Sequence, residues 1–193
     1  MQAVVQSILL DPEARGDVKL DPGYGKLREP VLFIAAAGRA VNTATDGVYF
    51  GQAGAGLGQN LFYSPSVFNY YPPDHMLPDT STLAPEFAIF NSSSFINRDN
   101  VANTLTFGTI APLATYPSAT GTQPSWTSLQ AVAADSNALA DQLNALLLHG
   151  TMPAAMRSGL VNAVNAVPAT DTLTRARTGY YLVITSSEYQ VER

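Results

Sequence analysis

Acid–base chemistry near neutral pH leans on imidazole, and this chain has two such rings, His75 and His149. His75 stands beside Asp74 in Pro72-Pro73-Asp74-His75-Met76, so Asp74 and His75 are the catalytic candidates. Successive side chains point apart along an extended backbone, so adjacency alone does not orient the ring as a general base. His149 precedes Gly150 after a leucine-rich run, where a protonated ring bonds helix-terminal carbonyls and suits the helix dipole. The absence of cysteine removes thiolate nucleophiles, disulfides and cysteine zinc ligands together. There is no His-x-x-x-His pair, and Asp11, Asp17 and Asp21 do not follow a calcium-loop spacing; they read as turn formers. No metal and no cofactor is expected. The glycines from Gly51 to Gly58 match neither the dinucleotide nor the P-loop spacing, and they read as flexible hairpin or coil.

Binding chemistry concentrates in LGQNLFYSPSVFNYYPPD, Leu57 to Asp74, which sets five aromatic rings among Pro65, Pro72 and Pro73 without helical or strand period. Two uses compete. The rings are pegs holding a long coil onto helices, the commoner use of aromatics in coils, or they line a groove for a sugar or an extended peptide. Tyr63, Phe68, Tyr70 and Tyr71 are the binding candidates, joined by Arg98. Asn91, Ser94 and Arg98 fall near one helix face beside Phe87 and Phe90, which suggests a buried hydrogen-bond network or one wall of a cleft.

The elements that must position these groups are helical. MQAVVQSILL forms an amphipathic helix with Val4, Val5, Ile8 and Leu9 on one side, and a turn-rich connector with two Asp-Pro steps follows. Pro30 suits the first turn of a helix running to about Val41. Residues 43–82 read as coil, and 83–107 as one long helix capped by Thr82. Residues 108–125, with Pro112, Pro117, Gly121 and Pro124, read as a second coil. Beyond it, Leu139, Leu143, Leu146 and Leu147 recur on one face after Asp135. Thr151 is placed as cap of a helix carrying Met156, Leu160, Val164 and Val167, which Pro168 stops. A third helix from about Thr170 aligns Leu173, Ala176, Tyr180 and Ile184. Short connections make 126–193 an antiparallel helical bundle. The fold class is all-α: a loop-rich helical domain with that bundle at its C-terminal end and a long proline/aromatic coil. The whole of 1–193 reads as one partial domain, helical over 1–42.

Composition narrows function. Hydrophobic residues make 46% of the chain and charged ones 13%, so a charge-driven disordered chain is excluded. The net charge of −5, with ten scattered basic residues, leaves no stripe to follow a phosphate backbone. Nucleic acid is not an expected partner. The longest apolar run, Val31–Ala37, is far too short for a membrane span, and the first residues lack the basic and apolar regions of a signal peptide. The first helix and Val31–Ile34 are expected to expose an apolar patch that invites self-association or a covering partner.

The motifs DPEARGD, GKLREPVL, LGQNLFYSPSVFNYYPPD, LAPEFAIFN and ITSSEYQVER, in this order, resemble the DUF1800 family of bacterial proteins over nearly the whole chain. The resemblance implies a mostly helical, often exported protein with no established biochemical role. It also implies that the chain corresponds to the C-terminal portion of a parent more than twice as long. The upstream half of that parent carries a paired-histidine motif of the form FWHxHF, and that half is the partner expected to cover the greasy helix faces. The leading expectation is a structural or interaction portion of an extracytoplasmic protein, without complete catalytic equipment of its own. The alternatives are part of a hydrolase acting on an extracellular polymer or ester, its site completed by the missing half, and a glycan-binding module.

Overall fold

Two aspartates start the helices around which the core is assembled. Asp135 accepts the backbone N–H groups of Asn137 and Ala138 and opens Ser136–Leu147; Asp171 accepts that of Thr174 and opens Thr172–Ile184. The computed structural model describes residues 1–16, 21 and 24–192; Asp17 and part of the connector lie outside the described residues.

In chain order the helices are α1 (Gln2–Leu9), α2 (Pro12–Arg15), α3 (Pro30–Ala40), α4 (Val48–Gly56), α5 (Ser92–Phe107), α6 (Thr127–Gln130), α7 (Ser136–Leu147), α8 (Ala154–Asn165), α9 (Thr172–Ile184) and α10 (Ser187–Gln190). Strands β1 (Lys26–Leu27), β2 (Ala44–Thr45), β3 (Thr122–Gln123) and β4 (Val191–Glu192) are two residues each. β1 pairs antiparallel with β4, Lys26 facing Glu192, and β2 pairs with β3, Thr45 facing Thr122. The chain is mostly helical and loop-rich, as the periodicity implies.

Helix α9 is the hub, packing on α5, α6, α7, α8 and α10. Ala176, Tyr180, Val183 and Ile184 bury completely on one face, because they recur at the spacing of a single helical stripe. Opposite them lie Leu139, Leu143 and Leu147 of α7 and Val164 of α8, also buried. Each such leucine contributes about 1.5–3 kcal/mol through removal from water. Gly179 lets α9 approach α7, since a Cβ there would stand 2.9 Å from Leu143 Cδ1. Two tyrosine hydroxyls tie the bundle to α3: Tyr180 donates to the Ala37 carbonyl at 2.9 Å and Tyr189 to that of Phe33 at 2.8 Å. Both phenols are pushed up by burial, Tyr189 to about 12.

Several local expectations change. The span 43–82 contains helix α4: its glycines do not prevent it because α4 packs on α3, with the Phe50 ring over bare Gly38. The helix expected over 83–107 is broken. Pro85–Ile89 is a 3-10 turn, Phe90 is extended, and Asn91 rather than Thr82 caps α5. A reciprocal capping box, with Asn91 accepting from Ser94 N–H and Ser94 Oγ accepting from Asn91 N–H, fixes that start. Thr151 does not cap α8; its hydroxyl donates to Leu148 O while Pro153 occupies the cap position. His149 is exposed at φ +52°, in the turn that ends α7. Finally, Phe33 and Ile34 are buried, so of the expected patch only α1, Leu10 and Leu32 lie open.

Candidate functional site

The aromatic coil begins on a fixed footing. Leu57 is buried, and beside it Gln59 is only 2% exposed. Gln59 Oε1 accepts the Val31 N–H at 2.8 Å, satisfying a free donor in the first turn of α3. Its amide donates to Glu29 Oε2 at 2.7 Å. Asn60 O then accepts both the Tyr63 N–H and the Tyr70 hydroxyl.

Held at these points, the coil turns rings outward. Phe62 is 100% exposed, with φ +67°, and Tyr63, Val67 and Phe68 are also exposed. The left-handed region is uncommon for a bulky residue and costs about 1–2 kcal/mol, so the anchors around Asn60 sustain a strained presentation. A tight turn from Ser66 to Asn69, in which the Ser66 hydroxyl accepts the Phe68 N–H, projects the second ring. Phe62, Tyr63 and Phe68 are therefore not the pegs the sequence favours. Tyr70 and Tyr71 alone lie partly buried.

Tyr71 meets Glu29, and burial followed by that hydrogen bond raises its phenol well above the usual range. Glu29 also belongs to a charged cluster: Lys26 Nζ stands 3.9 Å from Glu29, 3.8 Å from Glu86 and 4.0 Å from Glu192. The cluster pins the coil, α3 and the β1–β4 pair together.

Beside Phe62 a groove of about 670 Å³ runs between α3, α4 and the coil, with Val31, Phe50, Asn60 and Tyr116 among its walls. Asp46 is its one ionised wall residue among the described ones, and its carboxylate is consumed. It accepts the N–H groups of Gly121 at 2.7 Å, Thr120 at 2.8 Å and Val48 at 3.0 Å. These bonds, that of Gly121 foremost, hold its carboxyl below the usual range. The groove therefore offers aromatic and aliphatic surface with amide edges, and no free charge.

Arg98 lies elsewhere, 2% exposed behind α3. It donates to Gln190 Oε1 at 2.7 Å and to Arg28 O at 2.8 Å, and its guanidinium lies 5.2 Å from the Phe33 ring centre and 5.3 Å from that of Phe90. Burial, and secondarily the neighbouring Arg28 cation, lower its pKa to about 10. Of the two uses open to it, this is a buried network, not a groove wall. Ser94 is buried in the capping box and Asn91 is its cap, so neither joins Arg98 as a ladder.

Asp74 is exposed and His75 half-buried, in an excursion tied by backbone bonds from Ala84 N to His75 O and from Leu77 N to Thr82 O. Their side chains form no ion pair with each other, so the structure does not bring them together as a catalytic couple. Among the described residues no three His, Asp or Glu side chains converge as metal ligands. Sequence reasoning missed Asp46, Gln59 and Tyr116. Asp46 precedes a glycine and a helix, a readable capping signal; a single buried glutamine and a lone loop tyrosine leave none.

The family model described as "Protein of unknown function (DUF1800)" matches residues 1–191. No curated protein and no solved structure matches the chain.

Proposed function

The chain belongs to the DUF1800 family, and from that premise we propose that it is an interaction portion of an extracytoplasmic protein, a helical scaffold that offers an aromatic coil to a partner surface. The observation that carries this is Phe62, fully exposed in a strained backbone conformation beside an uncharged groove. Strain retained at an exposed aromatic is explained by contact with something outside the chain. The occupant is a protein surface of apolar character, first of all the N-terminal half of a longer parent polypeptide. Two features support a protein. The groove has no free charge to offer, and Val4, Val5, Ile8 and Leu9 of α1 present a second apolar strip with no cover.

The test is hydrogen exchange on residues 60–70, with the chain alone and joined to the polypeptide encoded upstream of it. Protection of that stretch in the longer form is expected, together with loss of the concentration-dependent association of the isolated chain. Equal exchange in both forms, with a strictly monomeric isolated chain, sinks the reading.

A glycan is the second reading, favoured by the amides of Asn60 and Gln52 beside Phe62 and Tyr116 in a groove of ligand size. Saturation-transfer NMR with a soluble polysaccharide separates the two: sugar signals that vanish in Phe62→Ala and Tyr116→Ala support it, and none in the wild type removes it.

A further inference from the structure

We propose a second site, distinct from the aromatic groove: a pocket that binds a small, hydroxylated monocarboxylate such as a sugar acid, with Arg177 as its anchor. The pocket, of about 410 Å³, lies between α5, α9 and the loop that carries β3, and it shares no wall residue with the groove. Arg177 of α9 lines it, its Cζ over the Trp126 ring at 5.6 Å from the ring centre, a cation–π contact.

The other guanidinium groups of the fold's interior all find oxygen partners. Arg98 bonds Gln190 and Arg28 O, Arg175 bonds Asn165 and Val167 O, and Arg28 bonds Val191 O. Among the described residues Arg177 has none: its buried Nε is unpartnered, as in the other three, but no side-chain or backbone oxygen accepts from its terminal nitrogens either, and no described carboxylate lies within ion-pair distance of the group. A guanidinium fork placed over an indole ring and bonded to no protein oxygen presents donors that match the two oxygens of a carboxylate. Two observations set the ligand class. Arg177 is the one cation among the described wall residues, which matches a single negative charge rather than a phosphate dianion. The Thr106 hydroxyl is taken by Ala102 O and that of Thr122 by Thr45, which leaves Thr109 and Gln123 to bond ligand hydroxyls while Leu105 and Ile110 face its carbon skeleton.

Trp126 is the only tryptophan and lines this pocket, so its fluorescence, excited selectively, is a local probe of it. The intact chain is titrated with glucuronate, glucose and inorganic phosphate. A saturable change at millimolar glucuronate is expected, with none for glucose. Arg177→Gln should weaken binding by at least about tenfold, the worth of a charge-assisted pair, and Arg177→Lys, a point charge without the fork, should fall between. Thermal melts establish that each variant is folded; should Arg177→Gln not fold, Gln123→Ala is expected to weaken glucuronate binding in its place. No saturable response, a response shared by glucose, a response equal for phosphate, or full retention in every folded variant each overturns the assignment. None of these results bears on the interaction reading, whose assay concerns residues 60–70.

Discussion

Removing the buried cation at Arg98 offers the sharpest check on how the core is held. Its hydrogen bonds to Gln190 and Arg28 O, 2.7 and 2.8 Å long, are charge-assisted, and such bonds contribute about 1.5–3 kcal/mol each. Against them stands the cost of keeping the group ionised away from water and near Arg28. Lowering the pKa from 12.5 to about 10 corresponds to a penalty of about 3 kcal/mol at 1.36 kcal/mol per unit. The ion itself thus stabilises the fold only modestly. An apolar chain of similar length, Arg98→Met, should cost no more than about 2 kcal/mol, as buried ions replaced by packed hydrophobes often do. Both variants leave the Gln190 and Arg28 oxygens without this donor; Arg98→Ala leaves in addition a void between Phe33 and Phe90, and should cost about 3–5 kcal/mol. At this chain length that is a fall of at least about 6 °C in Tm. Calorimetric melts of wild type and both variants decide it. An Ala variant within about 2 °C of wild type refutes the reasoning; so does a Met variant no better than Ala, since filling the space between Phe33 and Phe90 would then contribute nothing.

Phe62→Asn should raise stability by up to about 1 kcal/mol, because Asn tolerates the left-handed region at no comparable cost, while partner binding falls; an unchanged or lower Tm argues against stored strain. Tyr189→Phe removes the hydroxyl bond to Phe33 O and should cost about 1 kcal/mol, read from urea midpoints at constant slope. Burial raises Tyr49, Tyr71, Tyr180 and Tyr189, so their contribution is whole below the free phenol value of about 10 and is lost as pH climbs through the folded values. Arg98, a lowered base, works in the opposite direction above its value of about 10, and the four phenols outweigh it. Unfolding and late tyrosinate absorbance should therefore coincide in alkali; early absorbance without unfolding contradicts this. In acid, the lowered carboxyls of Asp46 and Asp171 lose their stabilisation as pH drops below about 4 through their folded values. Asp46→Asn should thus lower Tm at pH 7 and flatten the acid limb, which paired melts at the two pH values would show.

The bundle was legible because a stripe of leucines after an aspartate cap admits one reading. Leu139, Leu143 and Leu147 recur on one face, and that face must be covered. Helix α4 was not, since Gly51, Gly54 and Gly56 argue against a helix locally and only the packing of Phe50 on Gly38 of α3 supplies the reason for one. The break before α5 was readable in Asn91-x-x-Ser94, a capping pair that Pro85 and Glu86 masked by offering an earlier start. Apolarity in the coil said that rings cluster, not which way they face. Phe62 and Tyr71 share a segment and chemistry, and bonds to the Asn60 carbonyl from the Tyr63 N–H and the Tyr70 hydroxyl set the coil between the exposed ring and the half-buried one. Arg98 was placed on a polar face by sequence, whereas its neighbours Gln190 and Arg28 O come from segments far along the chain.

The pairing of Lys26 with Glu192 and Leu27 with Val191 has a mechanical outcome. Tension applied through residues before Lys26 and after Glu192 would meet this ladder from one end and open it bond by bond, as a zipper opens, rather than shearing it all at once. Single-molecule stretching should therefore show an early low-force event, the release of this clasp, before the much stiffer resistance of α7 and α9.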